Sequence, residues 1–197
     1  MKRIILWLAA LALALLWGWR YHSVNGYYDR AFPDNPEITY AVGDVAPFEE
    51  DFLEYDSSAQ GYSIQVNDYE ILTREEALEK WPESKTAKIT EAADKLLIVY
   101  VTLYNESGDS GIMLTDLKAS TADTVLPMNW GFVNLANSLT EDSYGILLAP
   151  GMKYDLALPF SARSLFFSPF VWRRLEDETF YLQLTAFPTR KTIVLKR

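Results

Sequence analysis

Lys95-Leu96-Leu97-Ile98-Val99-Tyr100-Val101-Thr102-Leu103-Tyr104 is the stretch on which the fold class turns. Successive side chains of an extended strand point to opposite faces, so Leu97, Val99, Val101 and Leu103 share one face while Ile98, Tyr100, Thr102 and Tyr104 share the other. Apolar character on both faces predicts a central strand. Asn105-Glu106-Ser107-Gly108-Asp109-Ser110-Gly111 then reads as a turn-rich connection, and residues 112–120 as a next strand.

The same pattern repeats on either side. Strands are expected over residues 62–72, 152–160, 179–187 and 192–196, with Tyr154, Leu156, Leu158 and Phe160 in phase in one and Phe180, Leu182, Leu184 and Ala186 in another. Thr73-Arg74-Glu75-Glu76 is a capping box, in which the Thr73 hydroxyl accepts from the Glu76 amide while the Glu76 carboxylate reaches back. The helix it starts runs to about Trp81, ahead of Pro82, and residues 83–93 read as a loop or a further helical turn. Six to eight strands with one short inserted helix predict a mainly β fold, an immunoglobulin-like β-sandwich, with a barrel as the lesser alternative.

The chain begins Met1-Lys2-Arg3 and then carries no charge from Ile4 to Trp19. At about 1.5 Å per helical residue this run covers roughly 24 Å, somewhat less than the roughly 30 Å of a bilayer core. A cleavable signal peptide needs a small-x-small site after the apolar core, and none follows Trp19; Ala10-Leu11-Ala12 and Ala12-Leu13-Ala14 lie within the run. Trp7, Trp17, Trp19 and Tyr21 fall where aromatic rings sit at membrane interfaces. The run therefore reads as a signal anchor, a transmembrane helix over residues 1–20 whose membrane contact is made by 4–19. Lys2 and Arg3 keep the N-terminus cytoplasmic by the positive-inside tendency, leaving the main domain extracellular at the cell membrane. Residues 21–37, with Gly26, Pro33, Pro36 and no sustained period, read as a stalk, and 38–197 as one extracytoplasmic domain.

All 27 acidic residues, but only 15 of the 18 Lys and Arg, lie beyond Arg20, a balance of −12 for that part. Nucleic acid and anionic lipid are both disfavoured as partners of a domain with this balance, because binding to either depends on cations that neutralise phosphate. Cysteine is absent, which excludes disulfides, thiolate metal sites, cysteine nucleophiles and a lipidated N-terminal cysteine. A domain of about 160 residues is large enough to be stable through its apolar core. Asn105-Glu106-Ser107 fits a glycosylation sequon that matters only in a eukaryotic host.

Chemistry has few handles. The single histidine, His22, stands at the membrane edge, so a Ser-His-Asp triad or a histidine metal cluster is not available to the domain. Ser161, Ser164 and Ser168 occur without a Ser-x-x-Lys or Gly-x-Ser-x-Gly context. Glu49-Glu50-Asp51, Glu54 and Asp56 form the densest acidic stretch and could supply paired carboxylates or a cation site, but read best as a solvated segment with Phe48, Phe52 and Tyr55 packing inward. Asn105, Ser107 and Asp109 alternate like a calcium loop but lack its turn glycine. The expectation is no enzyme, no cofactor and no metal. Two aromatic runs remain, Asn129-Trp130-Gly131-Phe132-Val133-Asn134 and Phe166-Phe167-Ser168-Pro169-Phe170-Val171-Trp172-Arg173-Arg174, from which Trp172, Arg173 and then Trp130 are the candidate binding residues.

Val42-Gly43-Asp44, the strand from Tyr62, the strand at Lys95 running into Asn105-Glu106-Ser107-Gly108, Leu158-Pro159-Phe160 and the strand from Phe180 together resemble the immunoglobulin-like exported domains of unknown function of Gram-positive bacteria. The resemblance spans most of residues 40–197. It implies a sandwich fold and an extracytoplasmic place, with no catalytic residues to carry over. Binding of a protein or a cell-wall component is the function expected; a surface enzyme using acidic residues, or an assembly or regulatory subunit of another membrane protein, are the alternatives.

Overall fold

The computed structural model describes residues 2–31, 36–53, 59–81, 93–107, 111–139 and 144–196, and divides into a unit ending at Asn35 and a unit beginning at Pro36. In the first, α1 (Lys2–Ala31) is a 30-residue helix. It continues past Arg20 to Ala31, into the segment 21–37 read as a stalk. No proline precedes Pro33, and a helix already started gains a hydrogen bond with each added residue, so Gly26 alone does not stop it. The side chains of residues 10–23 are all exposed, and Trp17 stacks on Tyr21 one turn later at 5.6 Å. Among the described residues no helix is long and apolar enough to cross a membrane, so the span expected over 4–19 is not found there. The run has only sixteen uncharged residues, against the roughly 20 that span a bilayer core.

The described residues of the second unit form two sheets and a ribbon. One sheet is antiparallel, with β2 (Val45–Pro47), β3 (Tyr62–Thr73), β4 (Lys95–Asn105) and β9 (Lys153–Ala162) in that order. The other runs β1 (Glu37–Ala41), β11 (Arg190–Leu195), β10 (Phe180–Thr185), β6 (Lys118–Ser120), β7 (Val125–Leu126), with β1 parallel to β11 and the remaining pairs antiparallel. The ribbon pairs β5 (Ile112–Met113) with β8 (Gly145–Ile146). β4 is central, as its two apolar faces predict, with β3 and β9 as its neighbours.

Leu97, Val99, Val101 and Leu103 of β4 are buried in one cluster with Leu182 and Leu184 of β10 and Ile193 and Leu195 of β11, so the two sheets face each other as a β-sandwich. Each fully buried aliphatic side chain of this kind contributes roughly 1.5–3 kcal/mol. On the opposite face of β4, Leu96 and Ile98 are buried beneath Ala77 of α2 (Arg74–Lys80) and Phe132 of α3 (Trp130–Asn137), with Ala157 of β9 beside them.

α2 starts at the expected capping box: the Glu76 amide donates to Thr73 Oγ1 at 3.2 Å, and the Thr73 amide donates to Glu76 Oε2 at 2.7 Å. One inserted helix was expected, and α3 and α4 (Pro169–Arg173) are additional. Both arise in the aromatic runs and carry side-chain caps, Asn129 Oδ1 accepting from the Phe132 amide and Ser168 Oγ from the Val171 amide. The strand expected over 112–120 is broken into β5 and β6 by a 3-10 turn, Leu114–Asp116. Leu114 and Leu117 are both buried although three positions apart, which strict strand alternation does not allow. Gly111 suits the close ribbon, since a Cβ there would stand 2.9 Å from the Ile146 carbonyl oxygen.

At one end of the sandwich a lysine occupies a core position. Lys191 is in phase with Ile193 and Leu195 and is fully buried. Its Nζ lies 2.6 Å from Asp51 Oδ2 and from Glu49 Oε2, and donates to the Pro47 carbonyl at 2.7 Å, joining β11 to the segment that leaves β2. Asp51 Oδ1 accepts from the Thr189 amide at 3.0 Å, and Thr185 Oγ1 donates to the Thr189 carbonyl while accepting from the Lys191 amide. The Phe52 amide donates to the Phe187 carbonyl at 2.7 Å beside the cis Phe187-Pro188 bond. Two carboxylates of the acidic stretch are thus a clasp on a buried ammonium, and Phe48 is buried as expected. Glu54, Tyr55 and Asp56 lie outside the described residues, as do most of 83–93 and Gly108, Asp109 and Ser110.

Burial works to lower the Lys191 pKa, but the hydrogen bonds and charges of Asp51 and Glu49 outweigh it and hold the group above its ordinary value. The folded pKa therefore exceeds that of unfolded lysine, about 10.4, so the contribution to stability is complete below that pH and is lost as pH climbs through the higher folded value. Urea unfolding followed from pH 8 upward is expected to show the loss only above about pH 10.4. Asp51→Ala, which leaves the buried ammonium with its exposed partner alone, is expected to cost about 3–5 kcal/mol. Glu49→Gln, at a carboxylate 64% exposed, should stay within about 1 kcal/mol in the same measurement.

Candidate functional site

The outward residues of β4 read Leu96, Ile98, Tyr100, Thr102, Tyr104, apolar at the start and polar towards the end. The covering helices follow that gradient: α2 and α3 close over Leu96 and Ile98. Beyond them, a cleft of about 410 Å³ opens over Tyr100, between Lys80 and Trp81 at the end of α2 and Ala136 and Asn137 at the end of α3, with Asn67 and Asp155 on the strands either side.

Each lining group has a local cause. β3 pairs Val66 with Val101 and Asp68 with Tyr100, so Asn67 is the extra residue of a β-bulge. The bulge switches the inward phase from Ile64 and Val66 to Tyr69 and Ile71 and turns Asn67 to the surface. Asn67 Nδ2 donates to Thr102 Oγ1 at 2.8 Å, and Thr102 Oγ1 donates to Asp155 Oδ1 at 2.6 Å, a relay across three strands. Tyr100 OH and Lys80 Nζ both donate to Glu70 Oε1. Lys80 Nζ also stands 5.1 Å from the Tyr100 ring centre and 6.0 Å from that of Trp81, which leans on Phe132 at 6.1 Å.

Burial opposes charge on Lys80, yet its bonds to Glu70 and Tyr100 prevail and raise its pKa. Burial, and then the Glu70 hydrogen bond, raise that of Tyr100. Near neutrality the cleft therefore holds an ammonium and a phenol proton, beside Asp155, whose Oδ1 accepts from Thr102. With the half-buried Trp81 ring, this is equipment for recognising a polar ligand by hydrogen bonds and ring contact.

The residues expected from sequence lie elsewhere. Trp130, first in α3, is half-buried and meets Tyr144 edge-on at 4.9 Å. Trp172 in α4 is half-buried, packs on Phe167 at 5.7 Å and carries Lys95 Nζ 5.6 Å above its ring. Arg173 is exposed and bonds back to the Pro169 carbonyl of its own helix. None of the three lines the cleft. The serines are equally occupied: Ser161 is buried and accepts from Asn129 Nδ2 at 3.0 Å, Ser168 caps α4, and Ser164 donates through amide and hydroxyl to Asp94, holding that carboxyl below its usual range. Asn105 is buried and donates to the Leu148 carbonyl at 2.7 Å. Among the described residues no group of three His, Asp or Glu converges as a metal site.

One wall of the cleft is fixed by a side chain that substitutes for a strand. β9 is at the edge of its sheet, and Asn137 completes it: Nδ2 donates to the Ala157 carbonyl at 2.7 Å, and the Ala157 amide donates to Asn137 Oδ1 at 2.7 Å. Asn137 Nδ2 also reaches the Val133 carbonyl at 2.8 Å, so one amide ties α3 to the sheet. Asn137→Ala strips partners from two strand groups and is expected to lower stability by about 2–3 kcal/mol. Faster amide exchange at Ala157, with exchange at Val99 unchanged, would localise the effect to that edge.

No curated protein matches the chain. A crystal structure of an uncharacterised β-sandwich protein from Clostridium difficile 630 is similar, with 10% sequence identity, coverage of 83% of this chain and 97% of that one, and a TM-score of 0.40. Residues 37–191, the greater part of the chain, match the family model described as a domain of unknown function (DUF5028), and the chain belongs to that family.

Proposed function

We propose that this protein is a binding module rather than an enzyme, and that its ligand site is the cleft between the ends of α2 and α3. The observation that carries this reading is the bulged Asn67 meeting the buried Thr102, which in turn bonds the exposed Asp155, beside Trp81 and Lys80, a polar array held by backbone geometry from three strands and one helix. The ligand is a protein or cell-wall component. The fold is assigned to the immunoglobulin-like class and the chain to a Gram-positive cell surface, on the resemblance of its strand and turn motifs to such exported domains.

In the same reading α1 is a single-pass anchor, with the N-terminus cytoplasmic and the β-sandwich outside. Support comes from the uncharged run 4–19, from the exposed apolar and aromatic side chains around α1, and from Lys2 and Arg3 at its start. A helical run such as 4–19, with no charged side chain, matches a lipid environment better than water.

The test is crosslinking capture from native membranes and walls with the full chain, compared with Trp81→Ala and Asp155→Ala. Loss of capture in both, with unfolding midpoints kept, is the expected result; undiminished capture by both removes the cleft as the site. A partner crosslinked only through α1 would instead favour an assembly subunit of another membrane protein.

A further inference from the structure

The domain is acidic as a whole, yet residues 156–175 contain three arginines and no acidic residue, with Glu176, Asp177 and Glu178 following directly and Asp94 bonded to Ser164 beside Arg163. Within this segment the turn Ser164–Phe166 and α4 leave large apolar side chains in solvent: Leu165 is 77% exposed, Phe170 62% and Phe166 51%. Thr124 Oγ1 donates to the Phe166 carbonyl, bringing the exposed Val125 into the same neighbourhood. Phe167 and Trp172 turn inward and pack on the core, which leaves the other aromatics of the segment without that role.

A cation accompanies each exposed ring. The Arg163 guanidinium stands 5.4 Å from the Phe166 ring centre, and that of Arg174 5.6 Å from Phe170, while Arg174 Nε also bonds Asp177 at 3.0 Å and Arg173 is exposed on the same short helix. Apolar rings beside arginines are what a lipid–water interface accommodates, with rings at the acyl boundary and guanidinium groups at the phosphates. We propose that this patch docks the β domain onto an anionic bilayer surface.

The inference rests on the anchored reading of α1. The charge of the rest of the domain opposes anionic lipid, which confines contact to this arginine-bearing face. Attraction of this kind weakens as salt shortens the range of the charges.

The absence of cysteine makes the test clean. The full chain is labelled with an environment-sensitive dye at Leu165→Cys, or as a control at Glu106→Cys beyond the far end of β4, and added to vesicles of phosphatidylcholine with or without one third phosphatidylglycerol. Sedimentation with vesicles reads α1, and dye emission reads the patch. The expected result is a blue shift at position 165 on the anionic vesicles, reduced by salt, lost in the Phe166→Ser, Phe170→Ser double variant, and absent at position 106. Sedimentation with an unshifted dye at 165 overturns docking and leaves the anchor standing. A shift without stable sedimentation removes the anchor and with it the docking that rests on it; neither signal overturns both. A shift in detergent that grows with protein concentration assigns the patch to a second copy of the chain and overturns lipid docking.

Discussion

A strand that is apolar on both faces has to be covered twice, and most of this domain follows from that constraint on β4. On one side the second sheet closes over Leu97, Val99, Val101 and Leu103, forming the sandwich. On the other side two short helices suffice, because only Leu96 and Ile98 require full cover. The cover ends where the strand turns polar. The cleft is therefore the place at which the sequence of β4 stops demanding a lid, and Thr102 uses its hydroxyl to link groups of the flanking strands.

The far end of the sandwich is closed by charge. Lys191 sits where the β11 phase calls for an apolar residue, and its ammonium is held by two carboxylates and a backbone carbonyl. A buried ion pair of this kind adds little compared with a well-packed apolar group, but it penalises any arrangement that separates its members. It fixes the segment after β2 against the β10–β11 turn. Glu49 takes a left-handed backbone, φ +53°, within that segment, at a cost on the order of 1 kcal/mol for a residue with a β-carbon.

The parts legible in the sequence were those written in local periodicity: β4, β3, β9, β10 and the Thr73 capping box all follow from alternation or from a four-residue motif. α3 was not, because in eight residues its helical period is too short to separate from a buried strand segment, and Phe132 and Val133 suit either. The site was less legible still. Asp155 stands out of phase with Tyr154 and Leu156 of its strand, Trp81 at a helix end, and Asn67 between two apolar pairs whose phase slips there, and nothing local marks any of them as a ligand group. That slip, Ile64 and Val66 against Tyr69 and Ile71, was the available sign of the bulge. Lys191 in phase with Ile193 and Leu195 was the corresponding sign of the buried ammonium. Bringing Asp155, Asn67 and Trp81 together requires the pairing of three strands, which no single segment encodes.

The parallel pairing of β1 with β11 bears on how the domain meets mechanical load. Tension applied through α1 enters at Glu37 and passes along β1, whose five registered positions, Glu37↔Arg190 to Ala41↔Val194, lie beside the last strand of the chain. When the pull runs along the strand, those hydrogen bonds are strained together in shear instead of opening one after another. β1 thus distributes force into the sheet that carries the Lys191 clasp, so a pull on Glu37 along the strand is resisted by all five registered positions at once.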